Sequence, residues 1–380
     1  MSAPIVGRGE RLRSIAPILL LLIIGACADP TTGVTIRERT SAVGAVVASS
    51  TPIATAIGNI TGYGVDDGGT IVGPSSGRTS SAYLWDASTN SLKLLGSGGL
   101  PWSIAGDGHT VGGKNAADAP VVWTATSPAG PWTEHEIPDL GFGGAVRAIA
   151  SDANGPPVVM TGNVWTNGTN KTPARWSPCT DGPPECVNGW RLSTVPLTPP
   201  ITEAWGQDIN PGGMIVGMEG TGCCRAAFWD ANNVQSILQP LVAGAAAAAW
   251  GLNDAGTIIV GQSNDVAVAW VRASTSVDFA SVAPIRLEAP KTCKGTGTSI
   301  AYAVNPDFVT SGTVVGQACG LPVAWNVDVA VSPASIVKVV LPSTGRSTSG
   351  EARSINRSTS LSLYRIVGAV NGAGAYWTNF

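Results

Sequence analysis

The chain has 380 residues, of which only 12% are charged, and a formal net charge of −3; without Arg8, Glu10, Arg11 and Arg13 of its leader the balance becomes −5. That balance excludes a nucleic-acid partner held through phosphate contacts, which needs a basic face. Forty-eight glycines and a bias toward Ala, Ser, Thr and Val favour many short strands joined by turns.

In chain order the first feature is a leader. Arg8, Arg11 and Arg13 precede an apolar run, Ile15 to Ile24, too short to span a bilayer comfortably. The run ends in Ile24-Gly25-Ala26-Cys27, which resembles the lipobox of bacterial lipoproteins. The resemblance implies a signal peptide over residues 1–26, cleavage before Cys27, and lipid attachment at its sulfur. Several acyl chains there would anchor a soluble body to a cell-envelope membrane, on the periplasmic side or at the cell surface. Residues 27–40 read as a tether. Beyond Cys27 stand Cys179, Cys186, Cys223, Cys224, Cys293 and Cys319. An even count outside the cytosol favours disulfides, and six cysteines allow 15 connectivities. Cys179 and Cys186 bracket one loop and are the favoured pair; a Cys293–Cys319 bridge and a vicinal Cys223–Cys224 ring are further options.

From residue 41 to 380 one pattern repeats. Trp85, Trp123, Trp176, Trp229, Trp270, Trp325 and Trp377 each follow a short apolar strand pattern. Upstream of each is a β-branched run closing on glycine: Gly73, Gly112, Gly162, Gly217, Gly261, Gly316 and Gly368. A unit of 38 to 55 residues cannot bury its own apolar face, so it must stack on copies of itself. The units lie near 59–96, 102–140, 147–197, 204–241, 249–290, 300–342 and 352–380. Each reads as four strands, the first ending before a turn with Asn or Asp at its first position and Gly three later. Examples are Asp66 to Gly69, Asn210 to Gly213 and Asn253 to Gly256. Asx side chains cap such turns and Gly accepts the positive φ that ends them.

Four-stranded antiparallel units in radial array predict an all-β fold, a seven-bladed β-propeller. The seventh unit reaches Trp377 without its fourth strand, so an N-terminal strand must close the last blade and leave no long edge. Ser41 to Val47, strand-like and otherwise unassigned, is the expected donor. The pattern resembles the HAF-type extracellular repeat family, A-x-x-I-N-x-x-G-x-x-V-G followed by A-x-x-W, best in Gly206–Trp229, Trp250–Trp270 and Ala301–Trp325. Copy three departs most: Ala150 replaces Asn and Pro156-Pro157 interrupts the turn. The resemblance implies an exported propeller-like array and carries no established catalytic residues.

Three motif matches lack their structural context. Gly73-Pro74-Ser75-Ser76-Gly77 fits a nucleophile elbow but opens a loop between antiparallel strands. Gly108 to Lys114 resembles a phosphate loop, yet Asn115 replaces the magnesium-binding hydroxyl and no helix follows. In Glu134-His135-Glu136, strand alternation points His135 away from both carboxylates. No catalytic residue, metal site or cofactor is expected.

One alignment column stands out. Three residues before each turn position lie Tyr63, Trp102, Arg147, Gln207, Trp250, Tyr302 and Arg353. The next column is small (Gly64, Ser103, Ala148, Gly251, Ala303, Ser354), with Asp208 the exception. First strands line a propeller's axis, so the large residues should ring one mouth of the central channel. There aromatic rings can stack on apolar or sugar faces, and Arg offers a planar fork to carboxylates. The alternative is that they only wedge between blades, sharing a strand face with the apolar column two residues later. The leading reading is a monomeric, membrane-anchored binding module for a glycan, peptide or protein at that face. The alternatives are a polysaccharide-active lyase or hydrolase, disfavoured by unpaired carboxylates, and a purely structural surface protein.

Overall fold

The β-branched run and its glycine form the second strand of a four-stranded antiparallel sheet, and seven such sheets make up the fold. The computed structural model describes residues 53–378 except 59, 77–80, 183, 185, 198–199, 221–223, 292, 294–296, 331–333, 344–348 and 358–364. The expected signal peptide, Cys27, the tether, Ser41 to Val47 and Cys223 lie outside the described residues.

Blade one comprises Gly64–Val65, Ile71–Pro74, Ser81–Asp86 and Ser91–Ser97, paired in sequence order. Its successors repeat that meander, with first strands Leu100–Ile104, Gly144–Ser151, Ala204–Ile209, Ala247–Leu252, Ser299–Val304 and Gly350–Ile355. Blade seven takes its outer strand from the N-terminal side, as closure requires. The donor, however, is Ile53–Ala56, antiparallel to Ala373–Thr378 with Ile53 opposite Thr378. Ser41 to Val47 is therefore corrected as the closing strand. Packing decides this: Ile57 and Ile60 are buried with Val65, Ile71, Trp85 and Val367 between the last and first blades. Those anchors fix the four residues just before them as the strand.

Each blade interface holds an apolar cluster drawn from both neighbours, so the core is distributed around the ring rather than central. The repeated tryptophans fill these interfaces. Six are fully buried and Trp85 nearly so. Indole N–H groups of Trp176, Trp270, Trp325 and Trp377 donate to the carbonyls of Pro138, Gln239, Glu288 and Pro342, in the segment leaving the preceding blade. Each thus contributes both apolar burial and a satisfied polar handle to the joint.

The expected turns form. Asp66, Asn210 and Asn253 each accept from the backbone N–H four residues on, at 2.6, 2.9 and 2.9 Å. Asparagine adds a link that aspartate cannot. Nδ2 of Asn210, Asn253 and Asn305 donates to the carbonyls of Asp254, Phe308 and Asn356 in the next blade's turn. Blade three, the most divergent copy, has complete and unusually long strands, including Pro157–Trp165. A second register irregularity between Ala150 and Ser151, with Asn154 at φ 51°, accommodates its prolines.

Candidate functional site at the channel mouth

In blades two to seven the first strand carries a β-bulge, and the extra residue is the large one singled out by sequence alignment. Register shifts bracket Trp102, Arg147, Gln207, Trp250, Tyr302 and Arg353. A bulge leaves one residue unpaired and re-aims its side chain. Strand alternation is broken there, so the column is not bound to share a face with the apolar column two residues later. Tyr63 holds the equivalent place in blade one, its N–H bonded to the Val72 carbonyl at 2.9 Å.

The repeated glycine is the counterpart of the bulge. A Cβ on Gly162, Gly217, Gly261, Gly316 or Gly368 would lie 1.8 to 2.1 Å from a carbonyl oxygen of the adjacent first strand, and one on Gly73 1.6 Å from the Thr61 carbonyl just before it. Only a residue without a side chain admits that carbonyl. Blade two corrects the sequence alignment by one position. There Gly113 faces Pro101 and would meet the Leu100 carbonyl, whereas Gly112 faces Ser103 and would meet Val146 of blade three.

All seven large residues line one cavity of about 200 Å³ on the channel axis. They also contact one another. Arg147 lies over the Trp102 ring at 4.2 Å, and Arg353 over Tyr302 at 4.2 Å and Tyr63 at 5.5 Å. Trp250 meets Tyr302 edge-on at 5.9 Å. The two guanidinium groups differ in charge balance. Burial opposes the Arg353 charge, but Glu351 at 2.7 Å outweighs it and raises the Arg353 pKa. Arg147 has no hydrogen bond or ion pair among the described residues, and desolvation lowers its pKa. Its Nε, Trp250 Nε1 and Arg353 Nε are buried donors that lack a hydrogen-bond acceptor among the described residues, Arg353 keeping Glu351 as an ion-pair partner.

The small column lets neighbouring first strands approach closely: a Cβ on Gly64 would come within 2.9 Å of the Trp102 carbonyl, and one on Gly251 within 2.9 Å of the Tyr302 carbonyl. Its polar members connect blades. Ser103 Oγ accepts from Ile149 N at 3.0 Å, and Asp208 accepts from Leu252 N at 2.8 Å. Desolvation pushes the Asp208 carboxyl up to about 7.

The far end of the cavity holds a group not anticipated from sequence. Arg357 of blade seven pairs with Asp254 of blade five, with Asp67 of blade one at 3.5 Å and with Asp307 of blade six at 3.4 Å. It also donates to the Ser151 carbonyl of blade three at 3.1 Å, so its side chain bridges widely separated blades. Burial raises the pKa of both Asp67 and Asp254 against the opposing pull of Arg357. The signal was present four columns beyond the ring, where Asp67, Asp254 and Arg357 occupy equivalent positions.

The cysteine pairs Cys179–Cys186 and Cys293–Cys319 are both disulfides. The second joins the segment before the first strand of blade six to the hairpin after its second strand, at the ringed end. The remaining motif residues have ordinary structural partners. Ser75 Oγ accepts from Ser81 N, and His135 bonds Thr124. Glu134 accepts from Trp123 and Glu136 from Asn115. Among the described residues no group of His, Cys, Asp or Glu could hold a metal ion, and no helix is long and apolar enough to cross a membrane.

No family model and no curated protein matches the chain. Solved structures do. The β-propeller domain of Cps50 (Swd1) from Myceliophteria thermophila has a TM-score of 0.54 at 11% identity, covering 87% of this chain and 98% of that one. The WD40 repeats of RRP9 give the same values, and streptogramin B lyase follows at 0.52, 9%, 86% and 97%. At such identities the likeness shows the fold alone: this chain is a seven-bladed β-propeller.

Proposed function

We propose that the chain is an exported, lipid-anchored binding module that takes a segment of a protein or peptide at the ringed mouth of its channel. The observation that carries the reading is the convergence of seven large side chains, six of them at bulged positions, on one cavity. A bulge repeated at one position in successive blades, with a glycine beside most of them to admit it, redirects the same side chain in each blade. Two disulfides favour an oxidising compartment, in keeping with export. β-Propellers commonly serve as interaction scaffolds, although fold alone does not assign a ligand.

The test compares cross-linking of envelope proteins to the wild type and to the Trp102→Ala, Trp250→Ala double variant. Both side chains are only partly buried, so the variant should keep its strand circular dichroism and lose the cross-linked partner. Retention of the partner by the folded variant would refute the site. Cys27→Ala should move the protein from membrane to soluble fractions; continued membrane retention would count against the anchor.

A further inference from the structure

We infer that the ringed mouth is a carboxylate receptor, with Arg147 as the docking cation and the acidic group of a peptide as its ligand. The inference rests on the binding-module reading and names what that module takes.

Its first support is charge. A guanidinium drawn out of water needs a counter-anion and hydrogen-bond acceptors, and Arg147 has neither among the described residues. Arg353 has Glu351; among the described residues Arg147 has the Trp102 face and the nearby Tyr63 but no acid. The unsatisfied side-chain atoms that Arg147, Trp250 and Arg353 bring to the mouth are all N–H donors. An incoming group that completes this site must therefore bring acceptors and negative charge. A carboxylate supplies both, and the planar guanidinium fork matches it.

Size and occupied faces narrow the ligand further. About 200 Å³ is smaller than a typical small-molecule site, and room remains for one side chain or chain end. Arg357 and its three aspartates cross the far end, so a chain cannot thread through. The same aspartates outnumber Arg357 at the far end, so an anion is turned away from the floor and its docking is left to the mouth. A sugar reading needs open aromatic faces for stacking. Here guanidinium groups lie on Trp102, Tyr302 and Tyr63, and Trp250 stands edge-on to Tyr302.

The experiment titrates the full chain with four fluorescent probes: a Gly/Ser peptide amide carrying one internal Glu, its Gln counterpart, the Gln peptide with a free C-terminal carboxylate, and a trigalacturonate. Either carboxylate peptide should bind, and which one does separates a side-chain source from a chain end. The Gln amide should bind at least tenfold more weakly. Arg147→Met should weaken the carboxylate peptide roughly ten- to a hundredfold, as expected for loss of a charge-assisted pair, and should abolish its salt dependence. Its melting temperature should hold or rise, because the variant removes a half-buried charge that has no counter-charge among the described residues. Glu351→Gln should strengthen binding several-fold by freeing Arg353, a gain that a purely structural ring would not produce.

Equal binding of the Gln amide, binding of trigalacturonate alone, or full binding by a folded Arg147→Met would overturn the inference. So would the absence of binding by every peptide at millimolar concentration. The broader reading is judged separately, by whether the Trp102, Trp250 variant loses its cross-linked partner.

Discussion

Asp66 occupies a position where four sister blades carry asparagine, and the difference predicts a specific pH dependence. Asn210, Asn253, Asn305 and Asn356 stand at its equivalents, all buried, and Asp66 itself is 3% exposed. Desolvation raises its carboxyl to about 6 from an ordinary 3.8, outweighing the N–H groups of Thr70 and Gly69 that favour the charge. The folded state therefore binds this proton more tightly than the unfolded state. The contribution of Asp66 to stability is greatest below the unfolded pKa and falls as pH rises from near 4 to about 6, then levels off. A difference of about two pKa units corresponds to ~3 kcal/mol. An asparagine at this position would present the same acceptor to the Thr70 N–H without the charge. Asp66→Asn should thus stabilise the protein by about 3 kcal/mol at pH 8 and by less than ~1 kcal/mol at pH 4. Urea unfolding of both proteins at the two pH values checks this. A pH-independent difference, or a loss of stability at pH 8, would refute the desolvation account.

Two further outcomes follow from the fold. Gly217→Ala places a Cβ 1.8 Å from the Trp205 carbonyl, so the bulge of blade four must shift. The expected destabilisation is at least about 2 kcal/mol, whereas alanine at the open position Gly182 should change little, as denaturant midpoints will show. Chain truncation tests closure. A chain beginning at residue 51 should remain monomeric by light scattering, whereas one beginning at residue 58 leaves Ala373–Thr378 as an unpaired edge and should self-associate or unfold. Monomeric, native-like behaviour of the shorter chain would show that Ile53–Ala56 does not close the ring.

The candidate site was legible to the extent that it is written in columns. Aligning on Trp and Gly brought Tyr63, Trp102, Arg147, Gln207, Trp250, Tyr302 and Arg353 together, and they line one cavity. What alignment missed was the bulge. Period-two reasoning assumes unbroken pairing, and an inserted residue reverses the face of whatever follows it. The same assumption misplaced Gly112 by one, because Thr110-Val111-Gly112-Gly113 offers two glycines and only the bulge carbonyl selects between them. Arg357 was missed for another reason: its partners come from blades one, five and six, far from it in sequence.

Local sequence determined the repeat, the strand count, the Asx turns and the need for an N-terminal closing strand, because each follows from interactions within one blade or between adjacent blades. Ring closure decided the rest. Which segment completes blade seven depends on where Ile57 and Ile60 find a buried joint. Which arginine at the mouth lacks a counter-charge depends on Glu351 lying beside Arg353 and, among the described residues, no acid lying beside Arg147. Those are distances across a closed ring, and a linear pattern of residues does not contain them.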